Sequence, residues 1–556
     1  MKNISAYKSI LLSIALLILL NIASTFYFER FDLTQDNRYT LAKSSKNIIS
    51  DVDNPIVIDV FLDGNFPPEF RRLQNETRQL LEEFAAYNTN IKFEFVNPIN
   101  EYPNAKKAAE EFYKLGMPPA RVSVKENGQS EETVIFPWAI ANLGKKSVKI
   151  ELLKNNTGST DEERVTNSVQ QLEYGFIDAF QKLLYPKSKK IAVMRGNGEL
   201  SDAYIADFIK TLQQYYFIAP FTLDSVAKNP QKTLQNLQKF DLILEPKPTI
   251  PYSEKEKYVL DQYLMNGGKA VWLTENVAID KDSLLNPSGT AFAIPKNLNL
   301  LDYFFSYGIR INPDLVNDLY SAPIILASGN QGNTRFNPYP WFYSPLTSST
   351  SNNPIVSNIE AVKFDFANPI DTLANGVKKT ILLSSSPRTK VEGTPRKISL
   401  AMVGEKPAIQ TYTDGEQALA VLLEGNFSSV YKNRIKPFKI KASKDNSKNT
   451  QLLVVSDGDV IKNELQKGRP LPLGFQRYTG KTYGNKTFLL NAINYMLDDR
   501  DLLKLRSKEI KIPFLDPQKI KNQRFKWQFI TIGLPLAILG ICAMLFLWIR
   551  TKRYKK

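Results

Sequence analysis

Apolar side chains form two long runs, at residues 4–28 and 527–549, and the chain between them has mixed polarity. A helix needs roughly 20 apolar residues to cross the hydrocarbon core of a bilayer. Both runs reach that length, and no third run in the sequence does. The first run has no small-residue cleavage signal, which favours an uncleaved anchor over a removed signal peptide. The pattern therefore predicts a large polar body anchored to one membrane at two points.

The flanks of the second run indicate how the chain is oriented. Trp527 and Trp548 stand at its two edges, where an aromatic belt lies in membrane proteins. Arg550 opens a basic tail, and basic residues also precede the first run. Basic flanks are retained on the cytoplasmic side, whereas long domains cross largely regardless of their charge. We therefore expect both termini in the cytoplasm and the body in the periplasm, at a bacterial inner membrane.

Strand and helix periods alternate in the first part of the body. Residues 56–64 and 91–98 read as strands, and the segment between them has helical spacing. A strand, a helix and a strand at this spacing imply a parallel pair with a right-handed crossover. Antiparallel strands follow over residues 120–153. This order predicts a thioredoxin-like α/β domain that lacks the Cys-x-x-Cys pair of redox exchange.

One long helix is predicted to connect this domain to the next. Ser159 and Glu162 have the spacing of a capping box at its beginning, and Pro186 ends it. Apolar residues recur on one face at helical spacing: Val165, Val169, Leu172, Phe176, Phe180 and Leu183. The helix therefore has one face to bury.

Short apolar strands alternate with helical segments in the second part of the body. The clearest strands are at 189–194, 240–246 and 270–275. Such alternation predicts a doubly wound, flavodoxin-like or glutamine-amidotransferase-like α/β domain with a parallel sheet. A stretch rich in Asn, Pro and Ser near 317–360 predicts a long extended insert.

These patterns divide the chain into an ordered series of segments. The predicted segments are a transmembrane anchor (1–28), the thioredoxin-like domain (29–158), the connecting helix (159–185), the parallel-sheet domain (186–500), a juxtamembrane segment (501–526), a transmembrane helix (527–549) and a basic cytoplasmic tail (550–556).

Charge and composition limit the kinds of partner and site that the protein can have. The net charge is +16, but the basic residues cluster beside the apolar runs, which fits anionic lipid rather than nucleic acid. The sequence has no histidine, and its one cysteine, Cys542, lies inside the second apolar run. These absences exclude Ser-His-Asp and Cys-His catalysis and histidine metal sites. We therefore expect a protein that is not an enzyme and has no cofactor.

A glycine-rich turn is the first candidate site. Gly196, Asn197, Gly198 and Glu199 follow the first strand of the parallel-sheet domain. Ligands bind beyond the carboxyl ends of such strands, and glycines let the backbone approach a ligand closely. The turn could therefore bind a ligand, although a purely structural strand–helix turn is the more common use of such a sequence.

Two further groups are weaker candidates. Tyr339, Trp341 and Tyr343 lie in the Pro-rich insert and could contact a sugar or a protein, or simply pack the insert onto its domain. Asp457 and Asp459 follow a strand and could offer oxygen ligands to a metal. Such Asp-Gly-Asp runs are more often turns, so no metal is predicted.

Several stretches carry a family resemblance. The opening RFDLTQDNRYTLAKSSKNIISDVDNPIVIDVFLDG, the RGNGEL turn, the NGGKAVWLTE unit and the C-terminal anchor with its basic tail resemble the gliding-motility members of the ABC-transporter auxiliary family of Bacteroidetes-type bacteria. The resemblance implies a substrate-binding-like partner of an ABC permease and its cytoplasmic ATPase, needed for gliding and linked to secretion. Related sequences tend to carry histidine where Asn197 stands, which puts any role of that histidine in doubt here.

Three functional hypotheses follow. The first is a non-catalytic subunit of an ABC-type complex, in contact with membrane lipid and able to contact other motility proteins. The second is a periplasmic glycan-binding module that uses the 196–199 turn and the aromatic insert. The third is an enzyme of carboxylate chemistry, through Glu199 with Asp457 or Asp459, because a carboxylate pair needs no histidine.

Overall fold

The computed structural model describes residues 12–21, 40–64, 66–126, 129–154, 160–329, 333–347, 353–497, 502–507 and 517–554. The chain divides into two units, residues 1–508 and residues 509–556. Each unit is described by itself.

The N-terminal part of the first unit is a mixed α/β domain. Its elements are α1 (Leu12–Asn21), α2 (Lys43–Ser50), β1 (Ile56–Val60), α3 (Pro68–Tyr87), β2 (Ile91–Phe95), α4 (Ala105–Lys114), β3 (Ala120–Glu126), β4 (Gln129–Ile135), β5 (Trp138–Leu143), β6 (Lys146–Glu151) and α5 (Asp161–Leu184). The main sheet has the order β2-β1-β5-β6, and β3 pairs with β4 in a separate hairpin. Strand β1 is parallel to β2 and antiparallel to β5, which confirms the predicted parallel pair joined by a helix.

Helix α5 completes the core of this domain. The apolar face predicted from its sequence is buried, and Phe176 and Phe180 pack edge-on against Phe84 of α3. Its capping box is formed by Thr160 and Glu163, one residue later than predicted, and Ser159 lies outside the described residues. The helix therefore packs into the first domain along its length.

A second α/β domain occupies the rest of the first unit. Its elements are β7 (Lys190–Arg195), α6 (Asp202–Leu212), β8 (Phe217–Thr222), α7 (Pro230–Leu237), β9 (Leu242–Pro246), α8 (Glu254–Met265), β10 (Lys269–Leu273), β11 (Val277–Ala278), β12 (Thr290–Pro295), α9 (Leu301–Tyr307), β13 (Ile309–Ile311), β14 (Asp314–Asp318), β15 (Ile324–Ser328), β16 (Arg335–Tyr339), β17 (Leu346–Thr347), β18 (Val362–Lys363), β19 (Ile370–Thr372), β20 (Lys378–Ser384), β21 (Thr389–Gly393), β22 (Arg396–Ser399), β23 (Ala418–Gly425), β24 (Thr450–Val455), β25 (Leu465–Gln466), β26 (Arg469–Pro470), β27 (Phe475–Gln476), β28 (Lys481–Thr482) and α10 (Asn485–Leu497).

The main sheet of this domain has the order β20-β23-β24-β10-β9-β7-β8. Strands β24, β10, β9, β7 and β8 run parallel. At one end β23 pairs antiparallel with β24, and β20 pairs antiparallel with β23, so β20 again runs in the direction of the parallel strands. Ile191 and Val193 face one core, and Ala192 and Met194 face the other. Strands buried on both faces read as continuous apolar runs, which is why their positions could be predicted.

Strand β8 and the 317–360 stretch of the second domain differ from the sequence-based prediction. Strand β8 was not predicted, because it is an edge strand with an alternating exposed face and a proline, Pro220. The stretch near 317–360 was predicted to be an extended insert, but part of it forms the β15–β16 hairpin. Both Asn and Pro are tolerated there because the hairpin is a separate two-stranded ladder.

The chain returns to the first domain after α10. Residues Leu502–Ser507 form a 3₁₀ helix, and Leu502 and Leu505 are buried in the core that contains α3 and α5. The segment predicted to be juxtamembrane from residue 501 therefore begins with residues that belong to the body.

The second unit is helical over its described residues. It contains α11 (Pro517–Gln528), a π-helical turn at Phe529–Gly533 and α12 (Leu534–Tyr554). The continuous helix Gln523–Arg553 has 31 residues, and its apolar 18-residue stretch has a mean hydropathy of 2.5. It is the one helix among the described residues that is long and apolar enough to cross a membrane; the N-terminal helix α1 is apolar but shorter. Trp527, Trp548 and Arg550 all lie on the C-terminal helix.

Candidate functional site

Polar residues gather where the parallel strands of the second domain end. The turn after β7 carries Gly196–Glu199, β9 leads into Lys247, β10 leads into Glu275, and β24 leads into Asp457. Because these strands are parallel neighbours, their carboxyl ends meet at one edge of the sheet, here called the carboxyl edge. The order of strands reverses between β7 and β9, and in open α/β sheets this switch point is where ligands bind.

The predicted turn lies at this switch point. Gly196 and Gly198 have φ of 113° and 75°, in the region that favours glycine. The buried Asn197 accepts hydrogen bonds at its backbone oxygen from the N–H groups of Thr249 and Ile250. The backbone N–H of Asn197 donates to the carboxylate of Glu199. The turn is therefore held against the segment after β9 and is not an open loop.

A buried acid, Glu245, lies next to this turn. It is the fourth residue of β9 and is fully buried, and neither of its carboxylate oxygens accepts a hydrogen bond from a residue that the structure describes. Burial raises the pKa of Glu245 well above its usual range, and the Glu199 carboxylate raises it further. Burial and the neighbouring Glu199 therefore both favour the neutral form of Glu245.

Replacing Glu245 with glutamine will increase stability at high pH. The raised pKa means that the contribution of Glu245 to stability is fully present below about pH 4.3 and is lost as the pH rises toward the folded-state pKa. Glutamine has the same shape and donates a hydrogen bond at every pH. We expect the free energy of unfolding of Glu245→Gln to exceed that of the wild type by roughly 1–2 kcal/mol at pH 8 and to match it near pH 4.

Chemical unfolding of the full chain in detergent from pH 4 to pH 8 measures this difference. Glu405→Gln is a matched control because Glu405 is exposed, and its unfolding should differ from the wild type by a small, constant amount. A constant difference for Glu245→Gln across the same pH range would show that Glu245 does not hold a proton.

A lysine network fills the other half of the carboxyl edge. It consists of Lys247, Lys296, Glu275, Asp457 and Asp459. The Lys247 ammonium lies 2.7 Å from Asp459 Oδ2 and 3.5 Å from Glu275 Oε1, and Lys296 lies 3.0 Å from Glu275 Oε1. The three acids place carboxylate oxygens within 4.8 Å of one another.

The charges of this network explain how it is stable when buried. Burial alone would lower the pKa of Lys247, but Glu275 and Asp459 raise it by more, so the amine stays charged. Burial and the neighbouring Asp459 raise the pKa of Asp457 well above its usual range, which favours its neutral form. A charged lysine thus supplies the cation that the acid cluster requires.

The backbone is shaped around Lys247. Lys247 itself has φ of 60°, which costs roughly 1 kcal/mol for a residue other than glycine. A Cβ at Gly458 would lie 2.3 Å from the Lys247 side chain, so only glycine fits there. Asp457 and Asp459, a weak candidate for oxygen ligands of a metal, do meet a third acid, Glu275, but the cation beside them is Lys247 of the chain itself.

The aromatic insert lies elsewhere. Trp341 and Tyr343 are 2% and 1% exposed and belong to a separate core, where Tyr343 donates a hydrogen bond to Glu392. Tyr339 is partly buried against the same core. These rings pack the insert onto its domain, and the two buried ones present no open face to a sugar in this structure.

The structure brings together residues that no local pattern links. Glu199 faces Glu245, whereas Asp457 and Asp459 meet Glu275 and Lys247, so the predicted carboxylates fall into two groups. Glu245, Lys247 and Glu275 were not predicted. The available signal was their position directly at or after buried strands, where polar residues interrupt apolar runs.

Comparison with known proteins identifies the family to which this chain belongs. Residues 188–492, more than half of the chain, match the family described as an ABC-type uncharacterized transport system. Residues 35–142 match a domain of unknown function, DUF7088. An uncharacterized protein of Borreliella burgdorferi is 19% identical over 550 residues, which covers 98% of this chain and 97% of that protein.

A solved structure is also similar in part. The chain described as the mmIFT52 N-terminal domain is 12% identical, with a TM-score of 0.31, and the match covers 56% of this chain and 98% of that one. The match over residues 188–492 spans the whole parallel sheet and its carboxyl edge, and the chain therefore belongs to the auxiliary family of ABC-type transport systems.

Proposed function

We propose that the chain is a non-catalytic, membrane-anchored subunit of an ABC-type transport complex, with an ABC permease and its cytoplasmic ATPase as partners. The observation that carries this proposal is the family match over the second domain together with the apolar helix Gln523–Arg553 in the same chain. An accessory role associated with transport follows from the family, and the specific partners are part of the proposal.

The carboxyl edge supports a non-catalytic role. Catalytic carboxylates need access to a substrate and room for a water molecule. Here Asp459 forms an ion pair with Lys247, and Glu275 forms one with Lys296. All four side chains are at most 11% exposed. The edge of the sheet is thus used to hold the domain together.

The proposed arrangement places two spans in the inner membrane, the body in the periplasm and both termini in the cytoplasm. Trp527 and Trp548 stand at the two ends of the apolar stretch, and Lys552 lies over the Trp548 ring at 5.0 Å. ATP-driven movement of the partner would reach the body through the anchors, which requires two states of the body that the partner binds differently. We also propose gliding motility, linked to secretion, as the process that this complex serves.

The finer fold names are part of the same proposal. The order β2-β1-β5-β6, with a parallel pair followed by an antiparallel hairpin, supports a thioredoxin-like first domain. The parallel strands with helices between them support a flavodoxin-like or glutamine-amidotransferase-like second domain.

Purification of the tagged full chain from its native membrane in mild detergent tests the partners. We expect mass spectrometry to find a polytopic permease and a Walker-type ATPase, both reduced at least ~10-fold when residues 527–549 are replaced by an unrelated apolar helix of the same length. That variant keeps the membrane attachment, so it separates specific contact from co-localisation. Recovery of neither partner, under conditions that preserve a known transporter complex, would refute the proposal.

A further inference from the structure

A cavity of about 400 Å³ opens beside the lysine network. One side is formed by β15, at Ile324–Leu326, and another by the loop that contains Gly474–Tyr478. The two sides are joined by Phe336 of β16 and Tyr478, whose rings stack with centroids 4.2 Å apart. The volume is within the range of small-molecule sites. The cavity therefore lies between the β15–β16 hairpin and the β27–β28 hairpin.

Two lysines at the floor of this cavity share one acid. Lys281 Nζ lies 2.6 Å from Asp365 Oδ1, and Lys363 Nζ lies 3.1 Å from Asp365 Oδ2. Their side chains are 26% and 21% exposed, so both are shielded yet reachable from the cavity. One carboxylate cannot neutralise two ammonium groups. The floor thus carries an excess positive charge.

The other acids in the wall do not supply the missing negative charge. Asp459 is occupied by Lys247 at 2.7 Å. Asp282 is 69% exposed and lies 3.5 Å from a third lysine, Lys462. Glu464 lies 4.0 Å from Arg477. Each of these acids has its own cation, so none of them offsets the charge at Lys281 and Lys363.

The lowered pKa of Lys281 indicates that the surrounding acids do not fully compensate the charge of its ammonium group. Burial lowers this pKa to about 8; Asp365 opposes the change, and Lys363 adds to it by repulsion. A bound anion would stabilise the charged amine. Aromatic rings also line the space, because Tyr204 and Tyr483 belong to its wall and Lys462 lies 5.1 Å from the Tyr204 ring centroid. A ligand could therefore place an anionic group on the lysines and an apolar or planar part against the rings.

We propose that this cavity binds a small organic anion, with a carboxylate or phosphate group held between Lys281 and Lys363 beside Asp365. The binding site is separate from the 196–199 turn and does not depend on the proposed transport partners. Two ammonium groups at one point favour an oxyanion with at least two oxygen acceptors. Carboxylate and phosphate share that chemistry, and the experiment distinguishes them.

The test uses the full chain in nanodiscs of zwitterionic lipid, which present no anionic headgroup. Inorganic phosphate and acetate are titrated by calorimetry at pH 8 and constant ionic strength, in two buffers that differ in ionisation enthalpy. We expect saturable binding of at least one probe, with proton uptake because the bound anion raises the pKa of Lys281. Binding of phosphate alone would identify a phosphate ligand, and binding of acetate would identify a carboxylate ligand.

Variants locate the site. Lys363→Met should weaken binding at least ~10-fold, whereas Lys363→Arg should retain most of it. Lys378→Met is the matched control, because Lys378 is 72% exposed and pairs with Glu424 away from the cavity. Lys281→Met provides a second variant, which should both weaken binding and abolish proton uptake. No binding of either probe up to about 100 mM, or equal binding by all folded variants, would overturn the proposal.

Discussion

Replacing Lys247 with methionine will lower the free energy of unfolding of the body by about 3–5 kcal/mol. The substitution keeps the length of the side chain but removes the ammonium that lies 2.7 Å from Asp459 and 3.5 Å from Glu275. Glu275 is buried and the Asp459 side chain is 9% exposed, so both acids would be left with less charge compensation in a region of low dielectric constant. Removing one partner of a buried ion pair is among the most destabilising single changes.

Chemical unfolding in detergent, followed by fluorescence of the buried Trp272 and Trp341, measures the loss. Lys378→Met removes the same charge from an exposed pair and should change stability by at most about 0.5 kcal/mol. Combining Lys247→Met with Asp459→Asn should recover part of the loss, because the charge left on Asp459 is then absent while Glu275 keeps Lys296 as its cation. A loss below about 1 kcal/mol for Lys247→Met would contradict the role given to the network.

Replacing Gly198 with alanine will destabilise the body by roughly 2–3 kcal/mol. Part of this cost comes from φ of 75°, which side chains rarely adopt. The rest comes from crowding, since a Cβ would lie 2.1 Å from Thr249 Oγ1 and 3.0 Å from Ile250 Cγ1. The Thr249 hydroxyl also donates a hydrogen bond to the Gly198 oxygen, and this bond would have to break if the side chain moved.

Gly376→Ala separates the two contributions. Gly376 has nearly the same φ, 77°, but no atom of the described residues lies within 4 Å of the place that its Cβ would take. Its cost should be about 1 kcal/mol, from the backbone alone. Unfolding of both variants by denaturant under identical conditions gives the comparison. Equal losses would mean that the turn after β7 can move away from the segment after β9, and the close approach would then have no structural importance.

Elements with a strong local period were predictable. The apolar stripe of α5 and the continuous apolar runs of β7, β9, β10 and β24 identify these elements. Burial on one face gives a periodic pattern of apolar residues, and burial on both faces gives a continuous apolar run. Strand β8 has neither pattern. It is an edge strand, and its exposed face and its proline weaken both the alternation and the apolar content.

The candidate site was predictable only in part. Gly196–Glu199 was identified because glycines directly after a buried strand have a specific use, and the turn does lie at the switch point of the sheet. Trp341 was a candidate either for contact with a sugar or protein or for packing of the insert onto its domain, and the structure buries it. An aromatic residue in a polar, Pro-rich stretch can face solvent or pack inward, and the choice depends on a core that is assembled from other parts of the chain.

The sequence by itself determined the two apolar ends, the absence of histidine chemistry and the alternation of strands and helices, because each of these depends on composition or on neighbouring residues. Only the tertiary structure decided which charges meet. Lys247 and Asp459 are 212 residues apart and become partners because β9, β10 and β24 lie side by side. Glu245 and Glu199 meet across β9 and β7 for the same reason. Strand order is set by packing over the whole domain. It brings together acids and lysines that are far apart in the sequence, in the lysine network, around Glu245 and in the cavity that contains Lys281 and Lys363.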